Sequence, residues 1–232
     1  DDVNGALLLE PQSTNLITYS EEFSNAYWTE DGASVTSGFT SPDGTTSAFK
    51  LVGDGTAAFK YAKSTQVVTD NLNYTFSVFA KSDTLDYLQL ICSGGFVSNH
   101  QNFDLANGVL GTSSGVVSSS IETYSNGWYK CSMTVLATST GGTASNIVLA
   151  DSASMSRALG FTTSSGLYIY GAQLEEGSYP TSYIPTQGSA VTRLAETCAD
   201  AGNDQVINST EGVLFAEMSA FISAGGGTRR ID

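Results

Sequence analysis

Tyr74-Thr-Phe-Ser-Val-Phe-Ala-Lys81 carries its apolar side chains at every second position. In an extended chain successive side chains point to opposite faces, so Tyr74, Phe76, Val78 and Ala80 share one face. Thr75, Ser77 and Lys81 share the other, and Phe79 is the exception. A helix would instead repeat its apolar residues three and four apart, and that spacing is almost absent from the chain. Working outward, residues 47–52, 87–92, 128–137, 146–150 and 166–175 read the same way: short runs rich in Tyr, Phe, Val, Ile and Thr, bounded by Gly, Asn, Asp or Ser. Pro42-Asp43-Gly44, Asn107-Gly108 and Asn126-Gly127 supply turns in which Gly and Asn accept positive φ. These signals predict an all-β protein of about eight to ten strands in two antiparallel sheets packed face to face, a β-sandwich of the jelly-roll type. Residues 111–120 and 138–145, nearly all Gly, Ser, Thr, Ala and Val, read as long exposed loops or floppy hairpin ends, or as simple linkers.

Composition fits that reading and excludes several functions. Of 232 residues, 41 % are hydrophobic and 14 % charged, with 11 Tyr and 11 Phe, which is enough to build a core. Ser (32) and Thr (26) supply the polar surface in place of Lys and Glu. A net charge of −14 opposes binding to nucleic acid or to an anionic bilayer, because phosphate contacts need clustered Lys and Arg. No run approaches the roughly 18 apolar residues of a membrane span, and no basic segment leads into an apolar one as in a signal peptide. The sequence opens at Asp1 without a Met, as expected of a processed chain or a piece of a longer one. Cys92, Cys131 and Cys198 match no metal spacing. Cys92 and Cys131 lie in alternating apolar runs and are expected to be buried thiols, a disulfide across two strands being the alternative.

Residues 1–195 are expected to form the sandwich and 196–210 a polar linker. Residues 211–232 are expected to open a second β domain or to serve as a strand tail in oligomerisation, with a homotrimer the expected assembly.

Four stretches in order resemble a module of bacteriophage head spikes, head fibres and tail adhesins that is related to carbohydrate-binding jelly rolls. They are residues 7–28, with Glu10-Pro-Gln-Ser-Thr-Asn15 and Tyr27-Trp28, residues 41–51, residues 126–132, with Asn126-Gly-Trp-Tyr129, and residues 168–185. Residues 211–220 are similar to the opening strand of a laminin-G or concanavalin-like sandwich. The resemblance implies a non-enzymatic protein of the virion surface, with other virion proteins as partners and a host-surface glycan as ligand. Two other origins stay open: a binding module of a secreted polysaccharide-degrading enzyme, and a capsid decoration protein without a ligand. In carbohydrate-binding relatives a structural calcium is commonly held by an acid after the first Phe and an acid in the final strand. Here Ser24 follows Phe23, and Gly171 and Ala172 stand in that strand, so no cofactor is expected. Calcium on Asp43, Asp54, Asp83 or Asp86 is the chemical alternative.

Residue chemistry points the same way. His100 is the one histidine and would have to serve any Ser-His-Asp triad by itself. Glu175 and Glu176 are adjacent in a strand and face opposite ways, so they are not the acid pair of a glycosidase. Sugar recognition asks for exposed rings that stack on C–H faces, with amides nearby for the hydroxyls. Trp128, Tyr124, Phe96 and Tyr27 are the candidate rings, with Asn99 and Gln101 as amides. Trp128 is read as outward-facing, opposite Tyr129, Cys131, Met133 and Val135; the alternative is that it caps the end of the sandwich.

Overall fold

The structure, a computed structural model, describes residues 9–196. Cys198, the remainder of the linker and the tail at 211–232 lie outside the described residues. Fourteen strands run through the described part: β1 Ser13–Asn15, β2 Thr29–Asp31, β3 Ala33–Phe39, β4 Ala48–Gly53, β5 Tyr61–Val68, β6 Asn73–Lys81 and β7 Tyr87–Ser93 in the first half. In the second half come β8 His100–Asp104, β9 Val109–Ser114, β10 Ser118–Thr123, β11 Tyr129–Leu136, β12 Gly141–Ala150, β13 Gly166–Glu176 and β14 Val191–Arg193. No α-helix occurs among the described residues; a single 3-10 turn spans Ser125–Gly127.

Two six-stranded antiparallel sheets form the sandwich, one in the order β10-β11-β6-β13-β4-β3 and the other β2-β5-β12-β7-β8-β9, with a β1-β14 ribbon beside them. The first is called the β13 sheet here and the second the β12 sheet. Between them lies one core that includes Phe23, Phe49, Leu51, Phe76, Val78, Leu88, Leu90, Phe103, Met133, Ile147, Leu167 and Ile169. The alternation read from residues 74–81 is realised: Tyr74, Phe76, Val78 and Ala80 enter this core, while Phe79 belongs to a separate cluster outside it. Cys92 and Cys131 are free buried thiols on different sheets.

The two stretches expected as loops, hairpin ends or linkers lie partly in strands. Residues 111–120 contribute to β9 and β10, and β12 begins at Gly141. Both β9 and β10 are edge strands. The residues of β9 are exposed or nearly so on both faces, so no apolar alternation marks them.

The outer faces of the sheets are partly covered by connecting segments, and that covering determines which outward side chains stay accessible. After β13 the chain returns across the β13 sheet: Lys130 Nζ donates to Thr181 O at 2.6 Å and Thr75 Oγ1 to Gly177 O at 3.0 Å. On the β12 sheet the connection between β12 and β13 is tied down by two amides, Asn102 Nδ2 on Met155 O at 2.7 Å and Gln89 Oε1 accepting from Ala158 N at 2.9 Å.

Candidate functional site

β13 inserts a bulge between Tyr170 and Gln173, where Gly171 takes φ 59°. A Cβ there would stand 3.0 Å from the Tyr183 ring, so glycine lets the returning segment close onto the sheet. Leu167 and Ile169 face the core. Tyr168 and Tyr170 therefore face out, paired across β6 with Lys81 and Phe79. The result is a contiguous aromatic band on the outer face. Phe79 contacts Tyr170 and Tyr183 at 5.9 Å each and meets Tyr124 edge-on at 4.9 Å. Trp128 lies in the same cluster, and Phe39 stacks at a tilt on Tyr168 at 4.9 Å.

The accessible end of the band is Phe39 with Tyr168, both half-buried, edged by a charged pair. Lys50 Nζ stands 2.6 Å from Asp83 Oδ2 and 5.8 Å from the centre of the Tyr168 ring, and the Tyr168 hydroxyl donates to Asp83 Oδ1 at 3.1 Å. The register that puts Lys50 opposite Tyr168 places all of these groups on one face. The hydrogen bond from Lys50 holds Asp83 below the usual carboxylate range, and the same bond raises Lys50. Burial, then the neighbouring Asp83, raises Tyr168. The pair is thus ionised and the phenol neutral at ordinary pH.

At the covered end, the Tyr170 hydroxyl stands 2.9 Å from Glu21 Oε1 and 3.1 Å from Asp43 Oδ2. Burial works against the Asp43 charge, but hydrogen bonds from Ser41, Thr45 and Tyr170 outweigh it and bring Asp43 to about 2. Glycoside hydrolysis needs a carboxyl kept protonated near neutral pH beside a second carboxylate. Asp43 is shifted the wrong way for that acid. Glu30, which desolvation does raise, sits on β2 in the other sheet.

The structure disperses the residues selected from sequence. Trp128 is 1 % exposed, a packing residue of the outer cluster and not a free ring. Phe96 is buried against Tyr74 at 6.0 Å. Asn99 is fully buried, accepting from Cys92 N at 2.8 Å and donating to Val97 O at 2.8 Å. Gln101 is equally buried, with its amide donating to Asn102 O and Gly111 O. Both amides are buried and bond backbone groups of the same sheet region. Tyr27 is half-buried and accepts from Gln66 Nε2 at 2.9 Å. Tyr124, 40 % exposed, is the member of that set which borders the band. Phe39, Lys50, Asp83 and Tyr168 were missed, although the alternation of residues 166–175 contained the signal: with Leu167 and Ile169 inward, Tyr168 has to face out.

Ser24, Gly171 and Ala172 carry no carboxylate. Of the four other candidate acids for calcium, three are engaged elsewhere: Asp54 by Lys60 and Thr56, Asp83 by Lys50, and Asp43 by its hydroxyls. Among the described residues no group of three or more His, Cys, Asp and Glu is placed to hold a metal.

No protein-family model matches the chain, and no curated protein matches it. Solved structures with similar folds include the enzymatically active domain of bacteriophage CBA120 tailspike protein 4, 15 % identical with a TM-score of 0.42, covering 70 % of this chain and 21 % of that one. They also include the CBM22-1 and GH10 modules of xylanase 10B from Clostridium thermocellum, in complex with xylohexaose: 12 % identical, TM-score 0.40, covering 76 % and 30 %. A third is the mannan-recognising carbohydrate-binding module TmCBM27, 10 % identical, TM-score 0.35, covering 74 % and 98 %. The chain spans about a fifth of the tailspike domain and under a third of the xylanase chain.

Proposed function

We propose that this β-sandwich binds a neutral glycan through the outer face of the β13 sheet, without catalysing a reaction on it. The observation that carries the reading is the Phe39–Tyr168 pair edged by Lys50 and Asp83. A pyranose ring is weakly apolar on its C–H faces and polar at its rim. Tilted rings offer surface to the former. A sugar hydroxyl both donates and accepts, so adjacent hydroxyls match an ammonium beside a carboxylate, the donor and the acceptor already held in place. The net charge of −14 disfavours an acidic polysaccharide.

In this reading the chain belongs to a phage surface fibre, spike or adhesin and attaches the particle to its host, as the sequence resemblance implies. Single sites of this kind hold a sugar with about −4 to −8 kcal/mol, the millimolar to micromolar range, so attachment rests on many copies, with a homotrimer the simplest unit. A glycan array probed with the full chain tests the site. Binding is expected to fall at least about tenfold in Tyr168→Ala, a change worth roughly 1.4 kcal/mol, with a similar loss in Lys50→Ala. Wild-type binding that survives both substitutions would place the ligand elsewhere, and a wild type that binds no glycan and no host cell would favour the decoration protein.

A further inference from the structure

The tilted Phe–Tyr pair with a lysine over the tyrosine ring, seen at Tyr168, occurs a second time on the opposite sheet. Phe59 and Tyr61 form a tilted pair with ring centres 4.8 Å apart and planes at 44°, against 4.9 Å and 49° for Phe39 and Tyr168. Lys63 Nζ stands 5.7 Å from the centre of the Tyr61 ring, against 5.8 Å for Lys50 over Tyr168. These are the two cation-over-ring contacts among the described residues. An aspartate neighbours each tyrosine: Asp31 is the register partner of Tyr61 across β2 and β5, and Asp83 accepts a hydrogen bond from the Tyr168 hydroxyl.

The second group also faces out. Ala62 enters the core between the sheets, so Tyr61 and Lys63 lie on the far side of the β12 sheet. Tyr61 and Phe59 instead pack against the outer cluster of Ile91, Val148, Ala150 and Met155. Phe59, Tyr61 and Lys63 are half-buried and Asp31 is exposed, so ring surface, ammonium and carboxylate all reach solvent. The segment after β12 packs against the same cluster through Ala158 and Phe161. Chain order differs between the two sites: Phe59, Tyr61 and Lys63 lie within five residues at the entry to β5, whereas Phe39, Lys50, Asp83 and Tyr168 come from four separate segments. The same ring-pair and cation-over-ring geometry has therefore been assembled from two unrelated stretches of chain.

We infer that Phe59, Tyr61, Lys63 and Asp31 form a second binding site for a neutral pyranose chain, so that one sandwich engages two glycan chains from opposite faces. The inference rests on the reading of the Tyr168 face as a sugar site. Because the two faces point away from each other, a single short chain cannot bridge them, and a monomer is a cross-linker of polysaccharide.

The test is an amide-resolved NMR titration of the full chain with three neutral probes, the hexasaccharides of β-1,4-linked xylose, mannose and glucose. At least one probe is expected to move two separate sets of signals, one around Tyr61 and Lys63 and one around Tyr168 and Lys50. Tyr61→Ala is expected to weaken the first response at least tenfold and leave the second unchanged, and Tyr168→Ala to do the reverse. Lys63→Ala at the exposed rim repeats the first comparison if Tyr61→Ala does not fold. Response at the Tyr168 patch alone overturns the second site and leaves the first standing. Response at the Tyr61 patch alone overturns both the bivalence and the proposed Tyr168 site. Response at neither patch overturns both sites for neutral pyranose chains.

Discussion

Trp128 and Tyr124, four residues apart, have opposite roles in the aromatic band. Trp128 fills it from beneath, and its removal opens a cavity among Ala48, Phe79 and Tyr170. Trp128→Ala is expected to cost about 3–5 kcal/mol, read as a lower urea midpoint at unchanged slope. Tyr124 is 40 % exposed and touches Phe79 edge-on, so Tyr124→Ala is expected to cost under about 1.5 kcal/mol. The two core thiols are as buried as Trp128. Burial pushes Cys92 up to about 12 and Cys131 well above its ordinary value, so neither supplies the thiolate that alkylation requires. Iodoacetamide treatment followed by peptide mapping is expected to leave Cys92 and Cys131 unmodified in the native protein and to label both after denaturation. Rapid labelling of either in the native state would contradict their placement in the core.

The decisive element is the connection that follows β13. Its anchor is Glu175, fully buried on the outer face of the β13 sheet and accepting four hydrogen bonds: from Gln173 Nε2 at 2.7 Å, Thr181 N at 2.9 Å, Thr181 Oγ1 at 2.6 Å and Ser13 Oγ. One carboxylate thereby ties β1, β13 and the returning segment together. Glu175→Ala strands several buried donors and is expected to destabilise by about 2–4 kcal/mol. Glu176→Ala, the exposed neighbour, is expected to stay within about 0.5 kcal/mol of wild type in the same melt. Equal effects would mean that the returning segment is not held where the structure places it. Asn15 supports the same junction from the N-terminal side, donating to Ala172 O at 3.1 Å and to Ile184 O at 2.9 Å.

Among the described residues, seven of the eleven strand pairings join strands that do not follow one another in the chain. β6 lies between β11 and β13, and β5 pairs with β12, so neither sheet is complete until residues past 140 have been placed. Loop closure therefore precedes most of the stabilising contacts. The full chain is expected to refold from urea in milliseconds to seconds, as all-β sandwiches do, and not in microseconds. Stopped-flow tryptophan fluorescence reads this directly, because Trp28 and Trp128 are both buried. The same topology allows two outward faces, each presenting a Phe–Tyr pair, to arise in one sandwich.

Residues 74–81, 87–92 and 166–175 specified their strands because one face of each is buried, and burial imposes the apolar alternation that a sequence displays. That was enough for the all-β class, the two sheets and the turns at Asn107-Gly108 and Asn126-Gly127, where Asn126, Gly127 and Gly108 do take positive φ. The edge strands β9 and β10 carried no such signal, being largely open to solvent. For the site, local alternation gave the correct side for Trp128, outside the core, and that side turned out to be covered. An outward position stays accessible only if no later segment packs over it, and the segments that do so here follow β12 and β13 in the chain. Phe96 is buried against Tyr74 of β6, while Phe39, Lys50, Asp83 and Tyr168 became neighbours only when four separate segments met. The sequence determined which residues point away from the core; the tertiary structure decided which of them meet water, because exposure depends on contacts between residues far apart in the chain.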